Sequence, residues 1–441
     1  MGDDPGQGER PRQEEEGRVE HRRDDEPEQC PEEVAVVELS RARDEERQHR
    51  SGTGLGHSNL TVATPQWSRR SCSHGGRAPH VLRGENSIGP DEAARVEAAR
   101  EALLGWYAAS ARALPWRARG TTAWATWVSE VMLQQTRVET VLPYFARFME
   151  RFPTPRHMAE ASEAEVLGQW AGIGYYRRAR FLHAGAKAVC ERHGGEVPRG
   201  VEALRALDGV GEYTAGAIAS IAFGERAALV DGNVERVLTR VFAIEGDPKS
   251  SAVKKHLWAL AAGFADHPDA GAVNQSLMEL GATVCAPTAP RCLTCPVRSM
   301  CRAAQEGEPE RYPEKAPRKA PRDEDWTALL GLYQGRALLV QSALGRWEGM
   351  LVPVMVPGAV DPASLAGRAG AHAVMDHGVV VHVLTHARMR LRVFSATLDE
   401  APTEGTLVSM DALAGLAVPK VTLRVLSAVR SSGDAAPRRR R

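Results

Sequence analysis

The chain has 441 residues, and its 56 Lys plus Arg balance 56 Asp plus Glu, so any attraction for a polyanion must come from local patches rather than from net charge. That length suits two or three domains, each with a real core. No run approaches the ~18 apolar residues a bilayer span needs, and the N-terminus has neither a myristoylation signal nor a transit-peptide pattern. Seven cysteines in so long a chain argue against a disulfide framework, so a reduced, soluble protein of the cytoplasm or nucleoid is expected.

Residues 1–88 are rich in Glu, Asp, Arg, Gln, Gly and Pro and poor in periodic apolar positions. They cannot bury enough surface to offset chain entropy, which predicts a disordered charged extension. A helical pattern at Glu32–Glu46 is too short to be stable alone. Cys30, Cys72 and Cys190 read as unpaired thiols.

From 89 to 304 the composition turns to Ala/Leu/Val-rich segments at helical spacing, broken by short Gly/Pro turns, and predicts an all-helical domain. Trp124, Trp127, Val128, Val131, Val138, Val141, Leu142, Phe145 and Phe148 form an apolar stripe, with Pro143 suggesting a break between two helices. Glu130 lies beside that stripe, where an arbitrary glutamate would be a solvated surface group. Gln134 and Gln135 interrupt the same apolar helix. Residues 204–222 place a G-V-G turn between two short helices, in which Gly209 and Gly211 permit positive φ and close backbone approach, and the amides of the second helix can face a phosphate oxygen. Alone, that turn could equally be a plain interhelical connection. Asp231 precedes Gly232 at the start of a helix running to Phe242, where it can act as an N-cap.

Cys285, Cys292, Cys295 and Cys301 form a C-x6-C-x2-C-x5-C run. Four thiolates at this spacing bind either zinc or an iron–sulfur cluster. Arg291, Arg298 and Arg302 lie in and just after the run with no acidic side chain among them, which suits a phosphate backbone. Residues 305–323 read as a basic, Pro-rich, semi-extended linker, with five basic side chains between Arg311 and Arg322 against one acidic. Short β-branched runs at Trp326–Gln334, Ala337–Gln341 and Val379–Val383 then predict an α+β domain over 324–430. A basic tail, 431–441, closes the chain.

The strings L-P-W (114–116), S-E-V-M-L-Q-Q-T (129–136), G-I-G-Y-Y (172–176), G-V-G-E-Y-T-A-G-A, V-D-G-N-V (230–234) and N-Q-S-L-M-E-L-G-A (274–282), followed by the four cysteines, resemble adenine DNA glycosylases of the MutY type, in that family's order. The resemblance covers about residues 98–302. It implies a multidomain protein: an all-α helix-hairpin-helix glycosylase core with a cleft between two helical subdomains, a [4Fe-4S] cluster rather than zinc, and a C-terminal Nudix-like domain.

Breaking an N-glycosidic bond needs a proton for the departing base and a carboxylate for the cationic sugar. Glu130, flanked by Val128, Val131, Met132 and Leu133, is expected to have a raised pKa and serve as general acid. Asp231, held ionised by backbone N–H groups, is expected to stabilise the oxocarbenium ion or act as nucleophile. The resemblance adds Tyr213 and Asn233 to the catalytic set. It also implies that Arg112, Trp116, Leu133 and Gln275 line an adenine pocket with Tyr213, and that Gln135 and Tyr175 wedge into the duplex with Ile173 beside them. Endonuclease III relatives, which also cleave the strand, carry a lysine where Tyr213 stands. A phenol cannot form an imine, so a monofunctional enzyme is expected.

The expected substrate is double-stranded DNA with adenine opposite 8-oxoguanine or guanine, bound by a monomer, with no membrane partner. In the family a Phe-Ser-His loop reads 8-oxoguanine. The matching stretch here is Leu384, Thr385 and His386, which keeps a hydroxyl and an imidazole but loses the aromatic. Residues 345–370 offer only Glu348 and one Asp, too few carboxylates for a catalytic Nudix helix. Two rivals stay open: a lyase-type thymine-damage glycosylase, disfavoured by Tyr213, and a non-catalytic iron–sulfur DNA-binding module, disfavoured by the two carboxylates.

Overall fold

The structure, a computed structural model, describes residues 88–314, 320–413 and 415–433. The expected disordered extension up to residue 87, with its possible helix at Glu32–Glu46 and Cys30 and Cys72, lies outside the described residues, as do residues 315–319 of the linker and the Arg438–Arg441 cluster.

Twelve helices precede the first strand among the described residues. They are α1 (Pro90–Ser110), α2 (Ala123–Leu133), α3 (Val138–Arg151), α4 (Pro155–Ala159), α5 (Glu163–Trp170), α6 (Arg177–His193), α7 (Val201–Arg205), α8 (Glu212–Ala217), α9 (Gly232–Phe242), α10 (Ser251–Ala265), α11 (Ala270–Thr283) and α12 (Arg302–Glu306). Their starts follow local chemistry. Pro90 occupies the first turn of α1, and Glu92 accepts the Gly89 amide at 3.0 Å. Thr122, Ser162, Ser250 and Asp269 each accept an amide at the head of α2, α5, α10 and α11.

Two apolar cores divide these helices. One joins residues of α2–α6 and the α7–α8 hairpin, including Trp127, Phe148, Trp170 and Leu182. The other joins α1 to α9–α12 through Val96, Leu103, Leu238, Phe264 and Leu277. The first helix thus packs against the last ones, and α8 with the π-turn Ile218–Ala222 links the two halves. No helix among the described residues is long and apolar enough to cross a membrane.

Pro143 does not separate two helices: it lies inside α3. Its missing N–H costs one hydrogen bond, just past the first turn and on an exposed face, where water can satisfy the freed carbonyl. The break falls instead at Gln134–Arg137. Gln134 and Gln135 therefore terminate α2 rather than interrupt it, and Gln135 takes a left-handed φ of 57°. Gly209 has the expected positive φ, 73°, with Phe181 packed where a Cβ would be. Gly211 does not: it caps α8 in extended backbone, φ −81°, with open space around it.

After Cys301 the chain runs through a short helix into the first part of the segment expected as a linker. It forms α12, a 3-10 turn at Pro309–Arg311, and a buried Tyr312 whose carbonyl accepts from Arg240 at 2.9 Å. Packing against a buried guanidinium overrides the extended bias of its prolines.

The C-terminal domain is built on a mixed sheet with strands β1 (Arg322–Tyr333), β2 (Arg336–Gln341), β3 (Leu351–Val352), β4 (Val354–Pro357), β5 (Ala371–Val383), β6 (Ala387–Leu398) and β7 (Thr406–Val408). The order is β3-β2-β1-β6-β5, with β4 and β7 pairing β1 and β2. Among the described residues only β1 and β6 run parallel. Helix α13 (Pro362–Arg368) covers one face over Leu329, Phe394 and Ala396, whereas α14 (Lys420–Gly433) meets the other over Ala328, Leu391 and Val393. This alternation is what period-two strands buried on both faces require. The β5–β6 hairpin closes through Leu384 N–H to Ala387 O at 2.8 Å and exposes Thr385 and His386 at its tip.

Several glycines of the helical domain allow close approach, Gly216 and Gly281 among them. A Cβ on Gly216 would stand 1.9 Å from Ala228 O, and one on Gly281 would stand 2.5 Å from Asn233 Cβ. Gly105, on an exposed face of α1, has nothing within 4 Å. In urea denaturation, Gly216→Ala is expected to lose about 2 kcal/mol by overpacking, while Gly105→Ala gains about 0.5 kcal/mol; equal effects at the two positions would contradict the close crossing.

Candidate active site

Nine of the eleven residues of α2 are buried, so this helix is enclosed on all sides and Glu130 has no solvated face to occupy. Its residue exposure is 4%. Tyr213, on the first turn of α8, donates its hydroxyl to Glu130 Oε2 in a short hydrogen bond. Burial pushes the Glu130 carboxyl up to about 7; the Tyr213 hydrogen bond and Arg117 pull it down, and the Asp231 charge adds to the rise. Tyr213 itself, largely desolvated and facing two carboxylates, is driven well above the ordinary phenol range.

Asp231 caps α9. Its Oδ1 accepts the amides of Asn233 and Val234 at 3.0 and 2.7 Å, and Oδ2 accepts Asn233 Nδ2 at 2.9 Å. These donors favour the carboxylate, whereas burial opposes it and, as the larger effect, raises its pKa. Glu130, Tyr213, Asp231 and Asn233 thus share one site made by α2, α8 and α9, with a neutralisable acid and a hydrogen-bonded acid side by side.

Asn233 leads away from this site along α9. Its Oδ1 accepts Arg236 Nη2 at 2.9 Å, and Arg236 also donates to Gly281 O and Cys285 O, both at 2.8 Å. One turn later the buried Arg240 reaches Ala286 O at 2.7 Å, Pro287 O at 3.0 Å and Cys285 Sγ at 3.4 Å. Cys285, Cys292, Cys295 and Cys301 line a common cavity with Arg240 and Val297. Burial raises the thiols of Cys292, Cys295 and Cys301, that of Cys295 to about 12, so thiolates there call for a cationic centre. Among the described residues no group of three or more His, Cys, Asp or Glu side chains is arranged to hold a single metal ion.

The residues implied for a base pocket fall into two groups. Arg112 and Gln275 join a polar cluster that the sequence reading missed. Glu279, fully buried, accepts Arg112 Nε at 2.6 Å and Arg117 Nη1 at 2.9 Å, while Tyr107 donates to Gln275 Oε1 at 3.2 Å. Burial opposes the Glu279 charge, yet the two guanidiniums hold its carboxyl below the usual range. Its signal was its place four residues after Gln275, one turn on along the same face. Trp116, by contrast, packs edge-on against Phe145 with centroids 5.2 Å apart, and Leu133 is partly buried against the same core.

The implied wedge residues are also sorted by exposure. Gln135 and Tyr175 are exposed, both with left-handed backbone, φ 57° and 52°. Ile173 is buried in the core beneath them. Tyr175 Oη lies 2.8 Å from Thr385 Oγ1 at the tip of the β5–β6 hairpin, bringing the two segments together; His386 is exposed beside it.

Residues 128–262 match the family model described as HhH-GPD superfamily base excision DNA repair protein. The adenine DNA glycosylase of Homo sapiens is 52% identical over 228 residues, covering 50% of this chain and 42% of that protein. The adenine DNA glycosylase of Mycolicibacterium smegmatis is 44% identical over 207 residues, covering 47% of this chain and 70% of that protein. Among solved structures, a thermostable thymine-DNA glycosylase aligns with a TM-score of 0.45 at 28% identity, over 48% of this chain and 98% of that one. The chain spans less than half the length of the mammalian relatives it matches.

The Glu130 carboxyl sits near 7 in the fold against an ordinary 4.5. The native state therefore binds its proton more tightly than the unfolded chain, and this group's contribution to stability is complete below 4.5 and lost as pH rises through 7. Glutamine carries no charge to bury. Moving from about pH 5 to about pH 8, Glu130→Gln should gain on wild type by up to about 3 kcal/mol in denaturant unfolding; a pH-independent difference would contradict the buried acid.

Proposed function

The chain belongs to the adenine DNA glycosylase family, and on that premise we propose that it is a monofunctional base-excision enzyme acting as a monomer on DNA at the nucleoid. It flips adenine out from opposite 8-oxoguanine or guanine and hydrolyses the N-glycosidic bond. The observation that carries this reading is the pairing of Glu130, buried and near neutrality, with Asp231 on the neighbouring helix cap.

In this reading Glu130 is half-protonated near pH 7 and delivers its proton to the departing adenine, whose leaving as an anion is otherwise the main barrier. Asp231, oriented by the Asn233 and Val234 amides and by Asn233 Nδ2, presents negative charge to the cationic sugar. Tyr213 holds the Glu130 carboxyl in place through its hydroxyl and offers no amine for strand cleavage. The Arg112–Glu279–Arg117 cluster with Gln275 supplies donors and acceptors for the edge of an extruded base. Trp116 and Leu133 form the apolar wall behind it. Gln135 and Tyr175 fill the gap left in the duplex, over Ile173. The hairpin turn of Gly209 and Gly211 lets backbone amides approach a phosphate.

Cys285, Cys292, Cys295 and Cys301 would hold a [4Fe-4S] cluster, which fits four thiols around one cavity next to the Arg240 guanidinium. When bound, the cationic iron core would stabilise the four thiolates and so cross-link the loop that carries Arg291 and Arg298. The C-terminal sheet is read as a Nudix-like domain in which Thr385 and His386 read 8-oxoguanine, supported by the contact between Thr385 and Tyr175.

Wild-type protein incubated with an adenine:8-oxoguanine duplex and then heated in alkali should cut only the adenine strand, and borohydride should trap no covalent adduct. The single-turnover rate should fall as pH rises through the Glu130 midpoint of about 7. Glu130→Gln should lose at least about 1000-fold in rate while binding changes by less than about ten-fold, since the amide keeps shape but has no acidic proton to give; residual turnover near wild type would remove Glu130 from the mechanism.

Changing Thr385 and His386 together to Ala should narrow the preference for 8-oxoguanine:A over G:A by about ten-fold, with G:A cleavage largely kept. An unaltered preference would show that another surface reads the opposite base.

A further inference from the structure

Arg178, on the first turn of α6, was singled out by nothing in the sequence. Its guanidinium is the most connected side chain near the wedge loops. Nη1 donates to the carbonyls of Val131 at 2.7 Å, Met132 at 2.9 Å and Gln134 at 2.5 Å. Nη2 donates to Thr136 Oγ1 at 3.1 Å and to Gly174 O at 3.2 Å. The same group lies 5.4 Å from the Trp170 ring centroid and 5.3 Å from that of Tyr175.

These contacts fall where the backbone is least favourable. Helix α2 ends without a glycine, so its last carbonyls need outside donors, and the left-handed cap residue is Gln135, which has a Cβ. Arg178 supplies donors to those carbonyls and grips the chain on both sides of Gln135, at Gln134 O and Thr136 Oγ1. The second loop is as unusual: Gly172, Gly174 and Tyr175 all have positive φ, of 105°, 82° and 52°. Here Arg178 holds the carbonyl of the peptide preceding Tyr175 and lies against its ring. Non-glycine residues persist in left-handed backbone only where surrounding contacts over-determine them.

We propose that Arg178 is a positioning residue that fixes Gln135 and Tyr175 relative to each other, so that extraction of the target base depends on one guanidinium acting through both wedges. The inference rests on the reading of those two residues as wedges. Lysine cannot replace it, because a single ammonium has three donors and no planar fork to span two loops.

The test compares wild type, Arg178→Lys, the wedge-less Gln135→Ala/Tyr175→Ala protein and the triple variant, each checked for native circular dichroism. Unstacking is read from the fluorescence of 2-aminopurine at the target position, and chemistry from the single-turnover rate on adenine across pH. Arg178→Lys should lose the fluorescence rise and about 10- to 100-fold in rate, with the pH midpoint set by Glu130 unmoved. In the wedge-less background the same change should cost less than about two-fold, because coupled residues are non-additive. Thr136→Val, which removes one of the five contacts, should give the same pattern at smaller size and serves if the lysine variant does not fold. Equal losses in both backgrounds would reduce Arg178 to a structural support and overturn the proposal, as would a shifted pH midpoint with unstacking intact. Wild-type protein that cuts adenine without unstacking signal would overturn the wedge reading and this inference with it, whereas no cutting at all would overturn the proposed function itself.

Discussion

The hydrogen bond from Tyr213 to Glu130 is the interaction on which the rest of the site depends. A carboxyl enclosed in an apolar helix bundle is costly when charged, and a single phenol is too little to compensate for lost water. The fold therefore keeps Glu130 close to neutrality instead of driving it fully to either form. Asp231 nearby raises it further, whereas the positive charge of Arg117, although also paired with Glu279, restrains the rise. The acid is thus balanced between a carboxylate that repels its charge and a guanidinium already engaged elsewhere.

Holding these groups together requires helices to cross closely. Gly216 lets the chain at Ala228 run against α8 on its way to Asp231, and Gly281 lets α11 meet the head of α9 at Asn233. Helix α9 then serves two places at once: its N-cap is Asp231, and its Arg236 and Arg240 fasten the segment from Cys285 to Pro287. The four-cysteine loop and the acid site are accordingly both fastened to one helix, the first through Arg236 and Arg240 and the second through the Asp231 cap. Buried guanidiniums satisfied by carbonyls make that tie polar and directional rather than merely close-packed.

What was legible in the sequence follows from the range of the interactions involved. Helix periodicity, the Asp231 cap, and the strands around Trp326, Ala337 and Val379 are local effects, and local patterns carried them. Pro143 misled because one exposed missing hydrogen bond is a small term beside the burial of Val141, Phe145 and Phe148. Gln134 and Gln135 were seen as an interruption, but their donor, Arg178, lies more than forty residues away and leaves no trace in the local string. The same holds for Arg240, whose partners lie at 285–287 and at Tyr312, the latter buried within the segment expected as a linker. Charged residues that organise loops by long-range hydrogen bonds look, in sequence, like ordinary surface arginines.

That blind spot bears on how the two domains act together. Tyr175 belongs to the helical domain and Thr385 to a hairpin tip some two hundred residues later, yet their hydroxyls meet. Nearby, Arg180 binds Glu163 in its own domain and Glu348 O across the interface, and Gly168 stands so close to Gly415 O that no side chain could intervene. A hydroxyl pair exposed to solvent contributes little stability by itself. Its position matters more: Arg180 and the glycine contact hold the hairpin tip against the loop of Tyr175, so under the proposed function a base read at Thr385 would lie within reach of the wedge. In this reading, recognition of one base and extraction of its partner share a boundary set by domain packing, and losing the aromatic side chain at Leu384 shifts the reading task onto the hydroxyl and imidazole that remain.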